Sequence, residues 1–411
     1  MKKTFIIAFA VCILLVACEP VDFPTVAPVT QIPFFASDTP PPFIIPVTET
    51  PVVLPPITET LSDPFIVPVT ETFTPTPTNQ WWEVYFTDPL ILNNPNNPVG
   101  SVEEQLIQLI NSAQSSIHIA SFEFNLVGVA DALINAKLRG VDVRWVTDNE
   151  NGLGIDANPN RGQFTRLLAN GIEVKDDAGR SALMHNKFWI FDKQITWTGS
   201  TNVTVNGIYK QNNNVIVIYS PEVALIYERE WEELWTGQFG PRAPSTVNTQ
   251  WTILNNTPIQ VLFSPEDKVV SKLIALVRDA QTSIRFLAFS FTDYPLSQTM
   301  IERARAGVDV KGVFETFGSN SPRSELKTFW CANVPARQDR FGDIFLHHKI
   351  IIIDNSTVVT GSLNFSSNAD EGNEENVIII DNPEIAALYI QEFEKIWGEA
   401  RDVAAGTFTC E

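Results

Sequence analysis

The chain has 411 residues, of which 44% are hydrophobic and 18% charged, a composition typical of a globular protein with room for more than one core. Its formal net charge is −20. Residues 1–80 contain seven acidic residues and two lysines, so residues 81–411 carry a net −15. This balance excludes the broad basic surface on which nonspecific nucleic-acid binding depends.

The first 18 residues have the pattern of an export signal. Lys2 and Lys3 precede an apolar run that ends in Leu15-Val16-Ala17-Cys18, and this run is too short to be a comfortable transmembrane helix. The ending resembles a bacterial lipoprotein processing site, which implies that Cys18 becomes the lipidated first residue of the mature chain. We therefore expect an exported, membrane-anchored lipoprotein of the cell envelope that faces away from the cytoplasm. An uncleaved anchor helix is the alternative.

Residues 19–80 differ in composition from the rest of the chain. They contain 15 of the 28 prolines and no lysine or arginine, and a short Pro-Val/Ile-Thr-Glu-Thr phrase occurs three times. Proline at this density removes backbone donors and favours extended chain, so we expect a disordered stalk and no packed core. Its reach would be up to roughly 190 Å at about 3.1 Å per residue.

From residue 81 onward the sequence is a tandem duplication. The stretch 113–117 recurs at 280–284, an offset of 167, and beyond His185 the offset is a constant 162. Each copy alternates helical and strand patterns and ends in an amphipathic helix. This predicts an α/β fold of two similar domains, 81–240 and 241–411, packed about a pseudo-twofold axis with one shared active site. Since both half-sites lie in one chain, we expect a monomer.

Each copy contains one set of polar residues at one spacing. The sets are His185, Lys187, Asp192, Ser200 and Asn202 in the first copy, and His347, Lys349, Asp354, Ser362 and Asn364 in the second. Residues two apart share a face of a strand, so each copy presents an imidazole, an ammonium, a hydroxyl and an amide together. Such a face combines a titrating group with donors suited to an anionic oxygen.

The paired His-x-Lys-x4-Asp and Gly-Ser-x-Asn elements resemble the phospholipase D superfamily of phosphodiesterases over about residues 81–400. The resemblance implies that one histidine attacks phosphorus while the other protonates the leaving alcohol, and that no metal or other cofactor is needed. It implies a catalytic set of His185, Lys187, Asp192, His347, Lys349 and Asp354, and phosphate binding by Ser200, Asn202, Ser362 and Asn364. For the two aspartates, a purely structural role is the open alternative.

One position differs between the copies. The family commonly has a carboxylate that orients a histidine just before a downstream asparagine; the second copy has Glu375 there, but the first has Asn213. A carboxylate favours imidazolium and an amide does not. With Asn213 serving the first motif, His185 is expected to stay neutral and act as the nucleophile, and His347 as the acid and base.

Three functions fit these residues. A phospholipase D-like enzyme that hydrolyses or transfers phosphodiesters of phospholipids is favoured by the predicted lipid anchor and the acidic globule. A nuclease of the same superfamily and a catalytically inactive binding module are the alternatives; no stable nucleic-acid partner is expected. Cys331 and Cys410 either pair in the oxidising compartment or remain two free thiols. His118, replaced by Arg285 in the second copy, is expected to be structural.

Overall fold

The computed structural model describes residues 80–156, 162–243, 245–340, 342 and 344–410. The predicted leader with Cys18, and the predicted stalk up to residue 79, lie outside these residues. The described residues belong to one compact unit. Within this part of the chain, no helix is long and apolar enough to cross a membrane.

The first copy forms a seven-stranded mixed sheet with the order β1-β8-β6-β5-β2-β3-β4. Strands β2, β3 and β4 run parallel, and β5 runs antiparallel to β2. The strands, including the separate short strand β7, are β1 (Trp82–Phe86), β2 (Ser116–Ser121), β3 (Asp142–Thr147), β4 (Glu173–Asp176), β5 (Lys187–Phe191), β6 (Ile195–Gly199), β7 (Gln211–Asn212) and β8 (Asn214–Tyr219). The helices are α1 (Val102–Ser112), α2 (Val127–Leu138), α3 (Phe164–Ala169), α4 (Val205–Tyr209) and α5 (Pro221–Trp235).

The second copy forms a nine-stranded sheet with the order β18-β13-β12-β11-β15-β16-β17-β10-β9, whose central part repeats the first sheet. Its strands, with the separate short strand β14, are β9 (Thr252–Leu254), β10 (Thr257–Ser264), β11 (Ser283–Ala288), β12 (Asp309–Phe314), β13 (Ala336–Gln338), β14 (Phe345–Leu346), β15 (Lys349–Ile353), β16 (Thr357–Gly361), β17 (Glu375–Asp381) and β18 (Arg401–Asp402). Its helices are α6 (Val269–Arg278), α7 (Tyr294–Arg305), α8 (Thr316–Ser319), α9 (Leu326–Cys331), α10 (Ser367–Glu371) and α11 (Pro383–Glu399).

Three apolar clusters hold these layers together. One lies on the outer face of each sheet, under α1 and α2 in the first copy and under α6 and α7 in the second. The third lies between the copies, where the inner faces of both sheets meet α5 and α11. The motif strands are buried on both faces for this reason, which explains why Ile350–Ile353 shows no alternation of apolar and polar residues.

The predicted duplicated α/β architecture is confirmed, although the strands β1 and β10, which flank β8 and β17, were not foreseen. Two parallel contacts cross between the copies: β14 pairs with β7, and Met184 bridges to Glu374. Cys331 and Cys410 form a disulfide that joins α9 to the C-terminal segment, which decides between the two alternatives that the sequence left open. The boundaries of the two predicted domains remain a prediction.

Candidate active site

The two motif histidines lie just before β5 and β15, where the copies meet. The backbone N–H of His185 donates to Glu374 O of the second copy at 2.9 Å, and that of His347 donates to Asn212 O of the first at 3.0 Å. Each histidine is therefore held by the backbone of the opposite copy. Both side chains are buried, with 6% and 5% of their surface exposed.

The side-chain partners of the histidines also cross between the copies. His185 Nδ1 lies 2.7 Å from Glu375 Oε2, and His347 Nδ1 lies 2.8 Å from Asn213 Oδ1. The sequence-based assignment of Asn213 to His185 and of Glu375 to His347 is therefore wrong. The pseudo-twofold packing swaps the partners, because β8 and β17 each begin beside the motif histidine of the opposite copy.

The hydrogen-bond network fixes the protons of both rings. An ionised Glu375 only accepts, so His185 Nδ1 donates to it. Asn213 Nδ2 donates to Gly207 O at 2.8 Å, which turns Asn213 Oδ1 towards His347. His347 Nδ1 therefore also donates, and Nε2 is the ring nitrogen left for chemistry in both histidines.

The two motif serines do not face the phosphate position that the resemblance implied. Ser200 Oγ donates to Asn213 Oδ1 at 2.8 Å, and Ser362 Oγ donates to Glu375 Oε2 at 2.6 Å. Both serines are fully buried. Their hydroxyl protons are thus committed to orienting the partners of the histidines, and the prediction of direct phosphate binding by Ser200 and Ser362 is wrong.

The motif lysines are buried beside the histidines. Lys187 Nζ donates to His185 O at 2.8 Å, and Lys349 Nζ donates to His347 O at 2.7 Å. Each ammonium has two further protons, which it can offer to an anionic oxygen. Asn202 and Asn364 follow the return strands, and the Oδ1 atom of each is buried without a hydrogen-bond partner.

Two phenylalanines that the motif analysis missed complete the walls. The ring of Phe122 lies 4.8 Å from that of His185, and the ring of Phe289 lies 4.6 Å from that of His347. Lys187 and Lys349 lie over the same rings, at 5.2 Å and 4.7 Å. A sequence signal existed: the two residues occupy one position of the repeat, at the offset of 167.

The electrostatics of the site favour an anionic ligand. Burial lowers the pKa of His185, and Glu375 opposes this change. Burial lowers the pKa of His347 well below its ordinary value, and the charges of Lys349 and Lys187 lower it further. Burial also lowers the pKa of Lys187 to about 8 and that of Lys349 well below its ordinary range. These basic groups repel one another until a negative charge lies between them.

Asp192 and Asp354 lie at the opposite ends of β5 and β15 from the histidines. Asp192 accepts from the backbone N–H groups of Gln114, Ser115 and Ser116 at 2.6–3.1 Å. Asp354 does the same for residues 281–283. A catalytic role for these aspartates is therefore wrong, and the structural alternative holds: each ties the motif hairpin to the preceding parallel strand.

Gly199 and Gly361 explain the glycine of the Gly-Ser-x-Asn element. Both have positive φ, +151° and +147°, and a Cβ atom would lie 2.2 Å from Asn214 O at Gly199 and 2.1 Å from Asn376 O at Gly361. Only glycine allows this close approach of the return strand to β8 and β17. The approach aligns each serine with its partner at 213 or 375.

The two remaining histidines lie outside the site. His118 is buried, bonds to Glu228 through Nδ1 at 2.8 Å, and stacks on Trp231. His348 points to the other side of β15, where it contacts Asn214 and Glu392. The expected structural role of His118 agrees with these contacts.

Both copies of this chain resemble known proteins in sequence. A family of sequences described as "Cardiolipin synthase, PLD-like domain" matches residues 106–235 and 273–397, one match for each copy and more than half of the chain. The chain belongs to this phospholipase D-like family. A mitochondrial cardiolipin hydrolase of Xenopus laevis is 31% identical over 133 residues, which are 32% of this chain and 63% of that protein. A phospholipase D of Rickettsia bellii is 30% identical over 140 residues, 34% of this chain and 69% of that protein.

Two solved structures resemble the whole fold of this phospholipase D-like chain. A phosphatidylserine synthase of Haemophilus influenzae has a TM-score of 0.59 at 14% identity and covers 78% of this chain and 87% of its own. A polyphosphate kinase of Porphyromonas gingivalis has a TM-score of 0.54 at 12% identity, covering 78% and 50%. At this identity the likeness concerns the fold alone. The names of these two proteins show that one fold serves different reactions.

Proposed function

We propose that this chain is a phosphodiesterase that hydrolyses phospholipids through a phosphohistidine on His185. The observation that carries the proposal is the buried group of two imidazoles and two ammonium ions at the junction of the copies, to which Glu375 is hydrogen-bonded. The four basic groups outnumber this one carboxylate, and a phosphodiester bound among them would add a further negative charge. Lys187, Lys349, Asn202 and Asn364 are placed to donate to its non-bridging oxygens and to stabilise them in the transition state.

The two histidines take different roles in the reaction, because His185 is hydrogen-bonded to a carboxylate and His347 to an amide. In the first step, His185 Nε2 attacks phosphorus and the bond from phosphorus to the leaving oxygen breaks. The ring then carries positive charge, which the Glu375 carboxylate stabilises through Nδ1. His347 faces a neutral amide, so its imidazolium is the stronger acid and gives its Nε2 proton to the leaving alcohol.

The second step reverses the role of His347. Its neutral Nε2 takes a proton from a water molecule, the water oxygen attacks phosphorus, and the phosphorus–nitrogen bond to His185 breaks. His185 is again the proposed nucleophile, but for a different reason from the sequence-based one. Its carboxylate partner, rather than the absence of one, suits it to carry the phosphoryl group.

Phospholipid is the proposed substrate because two relatives carry the names cardiolipin hydrolase and phospholipase D. The net charge of −15 on residues 81–411 also disfavours a long polyanion such as DNA. The decisive assay incubates the full-length protein in EDTA with phospholipid in detergent micelles and, separately, with plasmid DNA. We expect release of the headgroup alcohol and no nicking, and loss of this activity in His185→Ala. Nicking alone would support a nuclease; inactivity of a folded protein on both would support a binding module.

We further propose that the chain is exported, acts as a monomer, and is held to the membrane by a lipid on Cys18. The leader pattern and the proline-rich segment support this placement. In a bacterial host the protein should fractionate with membranes and incorporate labelled fatty acid. Cys18→Ala should abolish the labelling, and unchanged labelling in this variant would refute the anchor.

A further inference from the structure

The residue between the histidine and the lysine differs between the two motifs: it is Asn186 in the first and His348 in the second. Both side chains are fully buried. Neither amide atom of Asn186 has a hydrogen-bond partner among the described residues. His348 is bonded through both ring nitrogens, to Asn214 and to Glu392. The second motif therefore has a buried polar contact at the position where the first motif shows none.

These two contacts fix the proton of His348. Its Nε2 lies 3.3 Å from Glu392 Oε1, and an ionised carboxylate only accepts, so Nε2 carries the proton. Burial lowers the pKa of His348, although Glu392 opposes this change, and the ring is therefore neutral. Its Nδ1 is then unprotonated and accepts from Asn214 Nδ2 at 3.1 Å.

The amide of Asn214 is turned by this contact. Its Nδ2 faces His348, and its Oδ1 accepts from Thr360 Oγ1 at 2.7 Å. Asn376, the counterpart of Asn214 in the second copy, is turned the other way, because its Nδ2 donates to Thr198 Oγ1 at 2.6 Å. Thr198 and Thr360 occupy one position of the repeat. The acceptor nitrogen of His348 accounts for the difference between the two amides.

The orientation of Asn214 acts on His347 through one hydroxyl group. Asn214 Nδ2 also donates to Ser200 Oγ at 3.2 Å, which leaves the Ser200 proton for Asn213 Oδ1 at 2.8 Å. Asn213 Oδ1 in turn accepts from His347 Nδ1. If the Asn214 amide turned over, its Oδ1 would face Ser200 and accept that proton. Asn213 Oδ1 would then accept from His347 alone, which would stabilise the imidazolium and make it a weaker acid.

Resting on the proposed function, we propose that His348 is a positioning residue: its Nδ1 holds the Asn214 amide, and this keeps His347 a strong acid towards the leaving alcohol. The Ser200 hydroxyl and Asn213 transmit the effect. Adjacent residues of an extended chain face opposite sides, so His348 points away from the substrate that His347 meets.

The test measures the first step alone, in single turnovers with the full-length protein in excess over two esters of phosphatidic acid in neutral-detergent micelles. The p-nitrophenyl ester has a leaving group that needs no proton, and the glycerol ester, phosphatidylglycerol, has one that does. His348→Asn, which gives the second motif the side chain of the first, should slow the release of glycerol by about fivefold or more and that of p-nitrophenol by less than about twofold. His348→Leu, which has no acceptor but more apolar volume, should behave alike.

Two further variants serve as controls. His348→Gln has a side chain long enough to contact both Asn214 and Glu392, and it should restore most of the glycerol release. Asn186→Ala changes the same position of the other motif, where the described residues show no hydrogen bond to lose. It should leave the ratio of the two release rates unchanged. Circular dichroism identifies any variant that fails to fold.

The outcomes separate the two proposals. Equal slowing of both esters by the folded His348→Asn or His348→Leu protein, slowing of neither, or failure of His348→Gln to restore glycerol release overturns the role of His348 and leaves the proposed function standing. Release of p-nitrophenol without glycerol by the wild type removes the acid step that the role requires, and overturns it as well. A wild type that releases neither product overturns the proposed function together with this role.

Discussion

At the scale of single residues, the difference between Asn213 and Glu375 decides how the two half-sites differ. The two side chains occupy one position of the repeat and make the same two contacts, to a motif serine and to Nδ1 of the opposite histidine. They differ in charge and in the contact of the second terminal atom: Asn213 Nδ2 donates to Gly207 O, whereas Glu375 Oε1 accepts from Asn373 Nδ2. A carboxylate stabilises positive charge on His185, and an amide leaves His347 a stronger acid. One substitution thus makes two related imidazoles chemically unequal.

Asn213→Asp should remove this inequality. A carboxylate beside His347 Nδ1 would raise the pKa of that imidazole, so His347 would stay protonated to higher pH. We expect the alkaline limb of the kcat/KM profile to move up by about one pH unit or more, and kcat on substrates with a poor leaving alcohol to fall. The measurement is a pH–rate profile from pH 5 to 9. An unchanged alkaline limb would show that His347 is not the acid.

His347→Ala should trap the covalent intermediate. With a p-nitrophenyl ester of phosphatidic acid, the leaving group needs no proton, so His185 can still react, but no base activates water for the second step. We expect a burst of p-nitrophenol and a mass increase on the peptide that contains His185. The control is His185→Ala, which should give neither. An adduct on His347 in that control would contradict the assignment.

At the scale of elements, each motif strand has the reacting histidine at one end and the structural aspartate at the other. β5 places His185 before its first residue and Asp192 after its last, about 20 Å apart for seven residues of extended chain. The spacing therefore predicted correctly that the set recurs in two hairpins. It could not show that one end of each hairpin reacts and the other binds backbone N–H groups, because a motif gives order along the chain and not distance from the substrate.

Asp192→Asn separates these roles experimentally. Asparagine tolerates the positive φ of +53° at this turn, but its amide offers one acceptor oxygen where the carboxylate offers two. We expect the free energy of unfolding to fall by about 1–2 kcal/mol, seen as a lower Tm, with kcat of the folded protein essentially unchanged. Asp354→Asn should behave alike. A loss of kcat by a hundredfold at unchanged stability would restore a catalytic role.

At the scale of the whole molecule, the duplication made the fold predictable. It did not show which copy supplies the hydrogen-bond partner of each motif histidine. Constant offsets of 167 and 162 predicted two similar sheets and one shared site. They contained no information on which copy supplies the partner of each histidine, since His185 with Glu375 and His185 with Asn213 satisfy the same repeat. The answer depends on how β8 and β17 pack across the axis, which is a property of the assembled halves.

The packing also divides buried charge unequally between the two sides. On one side Lys395 lies 3.0 Å from Asp88 and 3.8 Å from Glu392, and His348 Nε2 lies 3.3 Å from Glu392. The residues at the positions of Glu392 and Lys395 in the first copy are Glu230 and Glu233. Burial raises the pKa of Glu230 well above its ordinary value, and nearby Glu266 and Glu374 raise it further. Burial likewise raises the pKa of Glu266 to about 8 and that of Glu374 to about 7.

The contribution of these three carboxyls to the stability of the protein should therefore decline as pH rises towards 8. Below about pH 4.5 these carboxyls are protonated whether the chain is folded or not. Above that value the unfolded chain releases protons that the folded chain keeps, so the unfolded state is stabilised relative to the folded state up to about pH 8. Glu230→Gln removes one of these carboxyls and should raise the Tm at pH 8 more than at pH 5. Glu392→Gln, its counterpart, loses attraction to Lys395 and should lower the Tm at both. Equal responses of the two variants would contradict the unequal division of charge.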